Sequence, residues 1–363
     1  MSSFFAAIFL LGLCLANAIN FTTVYEWDKL DFVWPSGADP SIGQMKRNFN
    51  PKGVEFRYMA VFGERLFLSL DNTILTIPAT LVWLPTSGTS TSPPKLAPFP
   101  SWNLHKRDNC DSIQQAKGLE TDHDGRLWVL DQGSKKCPSK IWIFNLLRND
   151  KVEHVYQFLD AVVTDSYIGR ELREIAVEKT PDDYFAYITA YYSDQIMVYS
   201  RKTDKSWSVK TTDVWWEALA LSPNREGRRL YLGTFVYNQL FSVSVSELRN
   251  GGAGSAAVES IGVTQGAAYR MLIDSANVLY AGLRSRNDLF IWNTSEPYPN
   301  EIFHEHGMQG AFWPLTFALD ANGILWMTQR NETSGGNRHK LLKAAVGARK
   351  YLLGTPTDLP SRG

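Results

Sequence analysis

The chain has 363 residues, of which 44% are hydrophobic, 13% aromatic and 20% charged, and its 37 basic and 37 acidic side chains balance to a formal net charge of zero. That is ample apolar material for a large core and excludes a disordered chain. The neutral balance also removes the basic or acidic footprint that a nucleic acid or an anionic membrane would require of a partner.

The N-terminal run MSSFFAAIFLLGLCLANA is apolar and ends in the small-x-small triplet Ala16-Asn17-Ala18. It is too short to cross a bilayer. It reads as a signal peptide over residues 1–18, the alternative being a buried first strand, and it leaves one domain over 19–363 in a secreted, extracellular protein with no membrane anchor. Cys14 departs with the leader, so Cys110 and Cys137 remain. An even pair in a secreted chain suggests one disulfide, with a reduced pair as the alternative; the spacing excludes a CxxC metal site. Three N-x-[ST] sequons, at Asn20, Asn293 and Asn331, are candidate glycan sites on surface loops.

After a first strand near Val24–Trp27, one pattern returns six times: an apolar strand, an acidic or turn residue, a Gly/Asn-rich turn, then an apolar-aromatic strand. It occurs as GVEFRYMAVFGERLFLSL (53–70), GLETDHDGRLWVLD (118–131), EIAVEKTPDDYFAYIT (174–189), ALALSPNREGRRLYLG (218–233), RMLIDSANVLYAG (270–282) and TFALDANGILWMT (316–328). The second strand of each unit carries an aromatic: Phe67, Trp128, Tyr187, Tyr231, Tyr280 and Trp326. Short β-branched and aromatic runs that stop at turns such as Asp124-Gly125 and Asn322-Gly323 are strands, and no stretch keeps a helical period over three turns. A period of about 50 residues with about four strands per unit predicts an all-β, six-bladed β-propeller with a central channel. The N-terminal strand is expected to close it by joining the last blade. Two tandem β-sandwiches are the alternative, but no linker divides the chain. The stretch TSGTSTSPPKLAPFP (86–100) reads as an exposed crossing between the first two blades rather than a strand.

Innermost strands line such a channel, and the loops at one end form its mouth. Binding a small aromatic amine there needs a carboxylate for the ammonium and an aromatic wall for the ring. Glu174 and Glu217 begin two inner strands and are candidate carboxylates, the alternative being solvated residues or partners of Arg173 and Arg270. Trp216, Tyr269 and Phe312 are candidate walls, with inter-blade packing as their alternative, and Thr316 is a candidate hydroxyl. No nucleophile elbow, zincin motif or phosphate loop is present, so no catalytic residue, metal or cofactor is assigned. His304-Glu305-His306 could set two imidazoles on one strand face, but no third ligand is evident, and it reads as a polar loop before the sixth inner strand. Asp131-Gln132-Gly133 reads as a turn in which Asp131 satisfies backbone donors and Gly133 takes positive φ. Arg225, Arg228 and Arg229 read as a solvated basic turn.

Several segments carry a family resemblance. PPKLAPFPSWNLHKRDNCDSI (93–113), GRLWVLDQG (125–133), CPSKIWIFNL (137–146), LYLGTFVYNQLFSVSVSELRN (230–250) and LYAGLRSRNDLFIWNT (279–294) resemble, in order, the Yellow/major royal jelly protein family of insects, from about Val24 to about Leu342. The resemblance implies a secreted six-bladed propeller. It further implies one of three roles: binding a biogenic amine (serotonin or a catecholamine) in the channel, as in fly salivary members; converting dopachrome, as in the pigmentation branch; or a structural role without a small ligand. For the enzyme, Glu217 or a channel histidine would be the base. The short chain is similar to the salivary branch, and a monomer is expected. Two departures stand out. The family's Ser-Asn-Arg after the last Leu-Trp strand is here Leu325-Trp326-Met327-Thr328-Gln329-Arg330-Asn331, so Gln329 or Asn331 replaces the amine-holding Asn. Inner strands that begin with small residues in the family begin here with Arg173-Glu174, Trp216-Glu217 and Tyr269-Arg270, which implies a narrower, more charged channel.

Overall fold

The computed structural model describes residues 19–36, 40–72, 77–87, 93–163, 171–234, 236–250, 254–284, 289–299, 304–305, 312–333 and 336–351. The predicted leader at 1–18 lies outside them. Alternating apolar residues between turns generate six antiparallel sheets of four strands each. Strand β1 (Thr22–Trp27) and helix α1 (Pro40–Asn48) precede the first blade, β2 (Val54–Phe62), β3 (Arg65–Asn72), β4 (Leu81–Pro85) and β5 (Ala97–Pro98). The second blade is β6 (Ala116–Thr121), β7 (Arg126–Asp131), β8 (Lys140–Asn145) and β9 (Lys151–Gln157); the third is β10 (Leu172–Lys179), β11 (Tyr184–Ala190), β12 (Gln195–Ser200) and β13 (Lys205–Lys210). The fourth is β14 (Trp216–Leu221), β15 (Arg229–Thr234), β16 (Gln239–Ser244) and β17 (Val258–Val263), with helix α2 (Val245–Arg249) inserted; the fifth is β18 (Ala268–Ile273), β19 (Val278–Leu283), β20 (Leu289–Asn293) and β21 (His304–Glu305). The last, β22 (Phe312–Leu319), β23 (Ile324–Thr333) and β24 (Gly336–Ala345), takes β1 as its outer strand, so the two ends of the propeller are hydrogen-bonded together from Thr22↔Lys343 to Trp27↔His339. Closure removes the free edge that an open ring would present.

The core sits between blades. Six hydrophobic clusters form, and each takes the aromatic of one second strand: Phe67, Trp128, Tyr187, Tyr231, Tyr280 and Trp326 fall in six different clusters. Each sheet therefore buries its faces on its neighbours, which is why the aromatic recurs. Removing one such Trp would cost about 3–5 kcal/mol.

Three of the hairpins joining first and second strands share a device that the sequence shows as Asp-x5-aromatic. In the second blade Asp122 accepts the backbone N–H groups of Asp124 and Arg126 and the Trp128 indole N–H at 2.8 Å. Asp274 does the same for Ala276, Val278 and the Tyr280 hydroxyl, and Asp320 for Asn322, Ile324 and the Trp326 indole. One carboxylate thus satisfies the turn and orients the inter-blade aromatic. Gly125, at φ 75°, completes the Asp122 turn, a conformation that costs glycine nothing.

Three expectations are corrected. The 86–100 stretch is not wholly an exposed crossing: Ala97–Pro98 pair with Val82 and Trp83, and Leu96 and Phe99 are fully buried, because the flanking apolar pair anchors a strand that Pro98 can end at an edge. Arg228 is not solvated. It is buried, donating to Glu178 at 3.3 Å and to the carbonyls of Asn224 and Pro223, while the Tyr187 hydroxyl donates to the same carboxylate at 2.6 Å; Arg229 opens β15. His304–Glu305 form the outer strand β21, pairing with Phe290 and Leu289, rather than a loop; His306 lies outside the described residues. The disulfide forms between Cys110 and Cys137.

Candidate functional site

Contacts between inner strands run round the ring, so β2, β6, β10, β14, β18 and β22 wall the channel. Near the start of each, the pairing with the second strand slips by one residue. The extra residue is Arg57 on β2, Lys117 or Gly118 on β6, Arg173 or Glu174 on β10, Glu217 on β14, Tyr269 on β18 and Leu315 on β22. A bulge re-aims the side chain it carries, and repeated six times it collects these positions at one end of the channel, the upper mouth. Gly118 permits the approach: a Cβ there would lie 2.8 Å from the Ile175 nitrogen on the next inner strand.

Charged residues at this end form two groups of ion pairs. Asp71 meets Arg57 at 3.4 Å and Lys117 at 3.1 Å. Arg330 reaches from β23 to Glu55. Arg173 lies 3.0 Å from Glu171 and 3.7 Å from Glu217, and Arg284 donates to Glu217 at 2.7 Å. At mid-channel Arg270 pairs with Glu174, with the Tyr58 and Phe317 rings each 5.9 Å from its guanidinium. Both members of that pair are buried, and burial pulls Arg270 down to about 10 while it pushes the neighbouring Tyr58 phenol up to about 12. The channel is charged at its upper end and at mid-depth.

Below this pair lies a small chamber of about 40 Å³, lined by Met59, Ile175, Leu219 and Met271 and also by Glu120, Arg270 and Lys350. Its lower end is filled by the chain itself. After β24 the backbone crosses the lower face, with the Ser275 N–H on the Arg349 carbonyl and the Lys350 N–H on the Asp320 carbonyl. The Lys350 amine enters the channel and donates to Glu120 and, at 3.1 Å, to the Thr121 hydroxyl. Burial pulls this amine down to about 7, against the pull of the Glu120 carboxylate in contact with it. Tyr351 packs into two of the blade interfaces. Residues 349–351 thus close the lower end of the channel.

Of the sequence-predicted residues, Glu217 and Tyr269 stand at the mouth. Glu217 is 4% exposed and its Oε2 has no hydrogen-bond donor in range. Glu174 lies deeper, held by Arg270 and by the Leu219 N–H at 2.9 Å. Trp216 is not a channel wall: it is fully buried in the interface of the third and fourth blades, with its indole N–H on the Thr211 hydroxyl at 2.7 Å. Glu217 takes the bulge, and its neighbour therefore turns to the opposite face of the strand. Thr316 is buried with an unpartnered hydroxyl. Gln329 is buried on β23 opposite Pro314, and Arg330 beside it is the residue that reaches the next blade. Phe312 and Asn331 pair with each other in the backbone; their side chains are outside the described residues. Asn20 and Asn293 are exposed.

Sequence reading missed an aromatic rim. Tyr191 lies under Arg173, 4.5 Å from its guanidinium, and its ring is tilted against that of Tyr192 with centroids 3.8 Å apart; Tyr192 in turn meets Trp215 edge-on at 4.6 Å. Tyr192 and Trp215 are exposed. The paired Tyr-Tyr after β11 and the second Trp before Glu217 were the available signals. Among the described residues no group of three or more His, Cys, Asp or Glu could hold a metal ion, and no helix is long and apolar enough to cross a membrane.

Comparison with known proteins places this geometry. The chain is 27% identical to Protein yellow of Drosophila guanche over 84% of its own length and 60% of that relative, and 28% identical to Protein yellow of Drosophila yakuba over 84% and 63%; it spans less than two thirds of either. A solved luciferin-regenerating enzyme aligns with a TM-score of 0.50 at 11% identity, covering 84% of this chain and 95% of that one, which supports the propeller fold alone. The model of the Major royal jelly protein family matches residues 115–310, the second to fifth blades and more than half of the chain. This protein belongs to the major royal jelly protein family.

Proposed function

We propose that this chain is a secreted propeller that binds a small aromatic amine at its upper mouth, with Glu217 as counter-ion to the ammonium. The observation that carries the reading is Glu217 Oε2, a buried carboxylate oxygen without a hydrogen-bond donor, close enough to Tyr58 and Tyr191 to act on both phenols. Arg173 Nε stands 3.7 Å from that oxygen, beyond hydrogen-bond range; a buried acceptor left without a hydrogen bond costs about 1–3 kcal/mol, and an ammonium would relieve it. Tyr191, Tyr192, Trp215 and Tyr269 supply faces for the ring, each cation–π contact contributing about 0.5–2 kcal/mol. The lower plug makes the site a dead end, which suits sequestration. The apolar leader and the disulfide between Cys110 and Cys137 fit an oxidising, extracellular compartment.

A second reading is favoured by the mouth's charges: among the described residues Arg57, Lys117, Arg173, Arg284 and Arg330 face Asp71, Glu55, Glu171 and Glu217. That excess suits an anionic aromatic such as dopachrome, with Glu217 taking the proton from carbon and Arg173 or Arg284 steadying the phenolate. Titration calorimetry with serotonin, in parallel with dopachrome absorbance, separates the two. Amine binding predicts saturation near one equivalent, no dopachrome loss, and roughly tenfold weaker binding in Glu217→Gln. Turnover of dopachrome beyond one equivalent without amine binding moves the protein to the enzyme class, and silence in both leaves the structural role.

A further inference from the structure

Beside the mouth, and meeting it at Asp71, a cavity of about 420 Å³ lies between residues 77–80 and the two loops that flank the disulfide. That volume is in the range of small-ligand sites. Its floor is apolar, with Leu70 and Ile113 buried and Ile77 and Pro78 half-buried.

The wall is built with unusual thoroughness for a surface loop. The Gln114 carboxamide sits inside the 106–114 segment, donating to the carbonyls of Lys106, Asn109 and Ser112 at 3.2, 2.8 and 3.0 Å and accepting from the Asp108 N–H at 2.9 Å. The buried Asp131 carboxylate accepts from the N–H groups of Gln114, Gln115 and Gly133 and from the Trp142 indole. The disulfide then joins the two loops covalently. Rigid walls of this kind reduce the ordering cost of a ligand.

The rim has a charge sign. Lys136 is neutralised by Asp108 at 3.0 Å. Arg107 and Lys135 are exposed, and no carboxylate of the described residues lies within ion-pair distance of either. On the wall His105 has its Nε2 2.9 Å from the Phe99 carbonyl. A carbonyl can only accept, so that nitrogen carries the proton, and the neutral ring keeps Nδ1 as an acceptor.

We propose that this side cavity binds a small organic acid with a flat apolar body, its ring on the Ile77–Ile113 floor and its carboxylate held at the rim by Arg107 and Lys135. The site meets the mouth at Asp71, whose carboxylate is held by Arg57 and Lys117, and it takes a ligand of the opposite charge from the one that the reading above requires at Glu217. The imidazole acceptor adds a place for a ring N–H or phenol donor.

A matched pair of probes tests this on the full chain: indole-3-acetate and tryptamine carry the same ring with opposite charge. Calorimetry is expected to give saturable one-to-one binding of the acid that neither Glu217→Gln nor saturating tryptamine disturbs. The double variant Arg107→Glu/Lys135→Glu should weaken the acid at least roughly tenfold, at an unchanged thermal midpoint because both side chains are exposed. Reduction of the disulfide should weaken it as well. If the charge-reversed pair lowers the midpoint, Arg107→Gln/Lys135→Gln replaces it with the same expectation. No saturable acid binding at about 1 mM, acid affinity indifferent to both double variants, or displacement of the acid by tryptamine would each overturn the proposal, the last by placing both probes at the mouth.

Discussion

The two ends of the channel are built on opposite principles. At the lower end the same device recurs: Asp122, Asp274 and Asp320 each bind two turn N–H groups and the polar tip of an inter-blade aromatic, and Lys350 and Tyr351 close what remains. At the upper end the backbone recurs, as six one-residue bulges, but the residues do not: arginine, lysine, glutamate, tyrosine and leucine occupy equivalent places. Repetition of residues serves the fold, where three of the interfaces take the same answer. Symmetry in backbone with asymmetry in residues produces a site, because a small ligand has no six-fold symmetry to match.

That contrast can be broken most forcefully at the lower end. Asp122→Ala should destabilise the protein by about 3–5 kcal/mol in denaturant unfolding, since it strands buried Arg126 and Trp128 together. Glu55→Ala at the mouth, where the carboxylate is partly exposed, should cost about 1 kcal/mol or less. Equal costs would erase the distinction.

The mid-channel pair is the next test. Glu174→Gln should cost about 3 kcal/mol by leaving Arg270 charged and buried. The double variant Glu174→Leu/Arg270→Met should return to within about 1 kcal/mol of the parent, because two apolar groups can replace a buried pair. A double variant as unstable as the single one would mean that the pair specifies the fold rather than divides the channel.

Acid should act on the structural side. His339 is buried against Phe56, with ring centroids 4.9 Å apart and neither nitrogen hydrogen-bonded; burial, with Arg330 adding, lowers it to about 4. Burial likewise holds His105 at about 4, although the Phe99 carbonyl opposes it. Both values lie below the unfolded value of about 6.5, so the unfolded chain binds more protons between those limits. Their stabilising contribution is complete above pH 6.5 and is lost as pH falls towards 4, by about 2–3 kcal/mol for each group. His339→Phe should flatten half of that slope in thermal melts taken across this range.

A modest effect is expected at the plug. Tyr351→Ala removes a half-buried ring over which Arg228 lies at 5.8 Å, and should cost about 1–2 kcal/mol while leaving ligand binding at the mouth intact.

Much of the fold was legible in the sequence because propeller physics repeats itself. The six aromatics, the Asp-Gly and Asn-Gly turns and the closing strand near Val24–Trp27 were each readable from local pattern. Glu217 and Tyr269 were legible as polar residues interrupting the start of apolar strands. Trp216 misled because, at a bulge, one residue decides which of two neighbours faces the channel, and composition does not report register. The Arg228–Glu178 pair, the Arg270–Glu174 pair and the Lys350 plug join residues 50, 96 and 230 positions apart in the sequence, so no local window contains them.

The central claim is that the upper mouth holds a cationic aromatic ligand against Glu217. A crystal structure of the protein soaked with serotonin addresses it directly. The account predicts ligand density at the mouth, with the ammonium within hydrogen-bond distance of Glu217 Oε2 and the indole against Tyr191 or Tyr269. An empty mouth at saturating serotonin, or ligand seated elsewhere with the Glu217–Arg284 pair undisturbed, would contradict it.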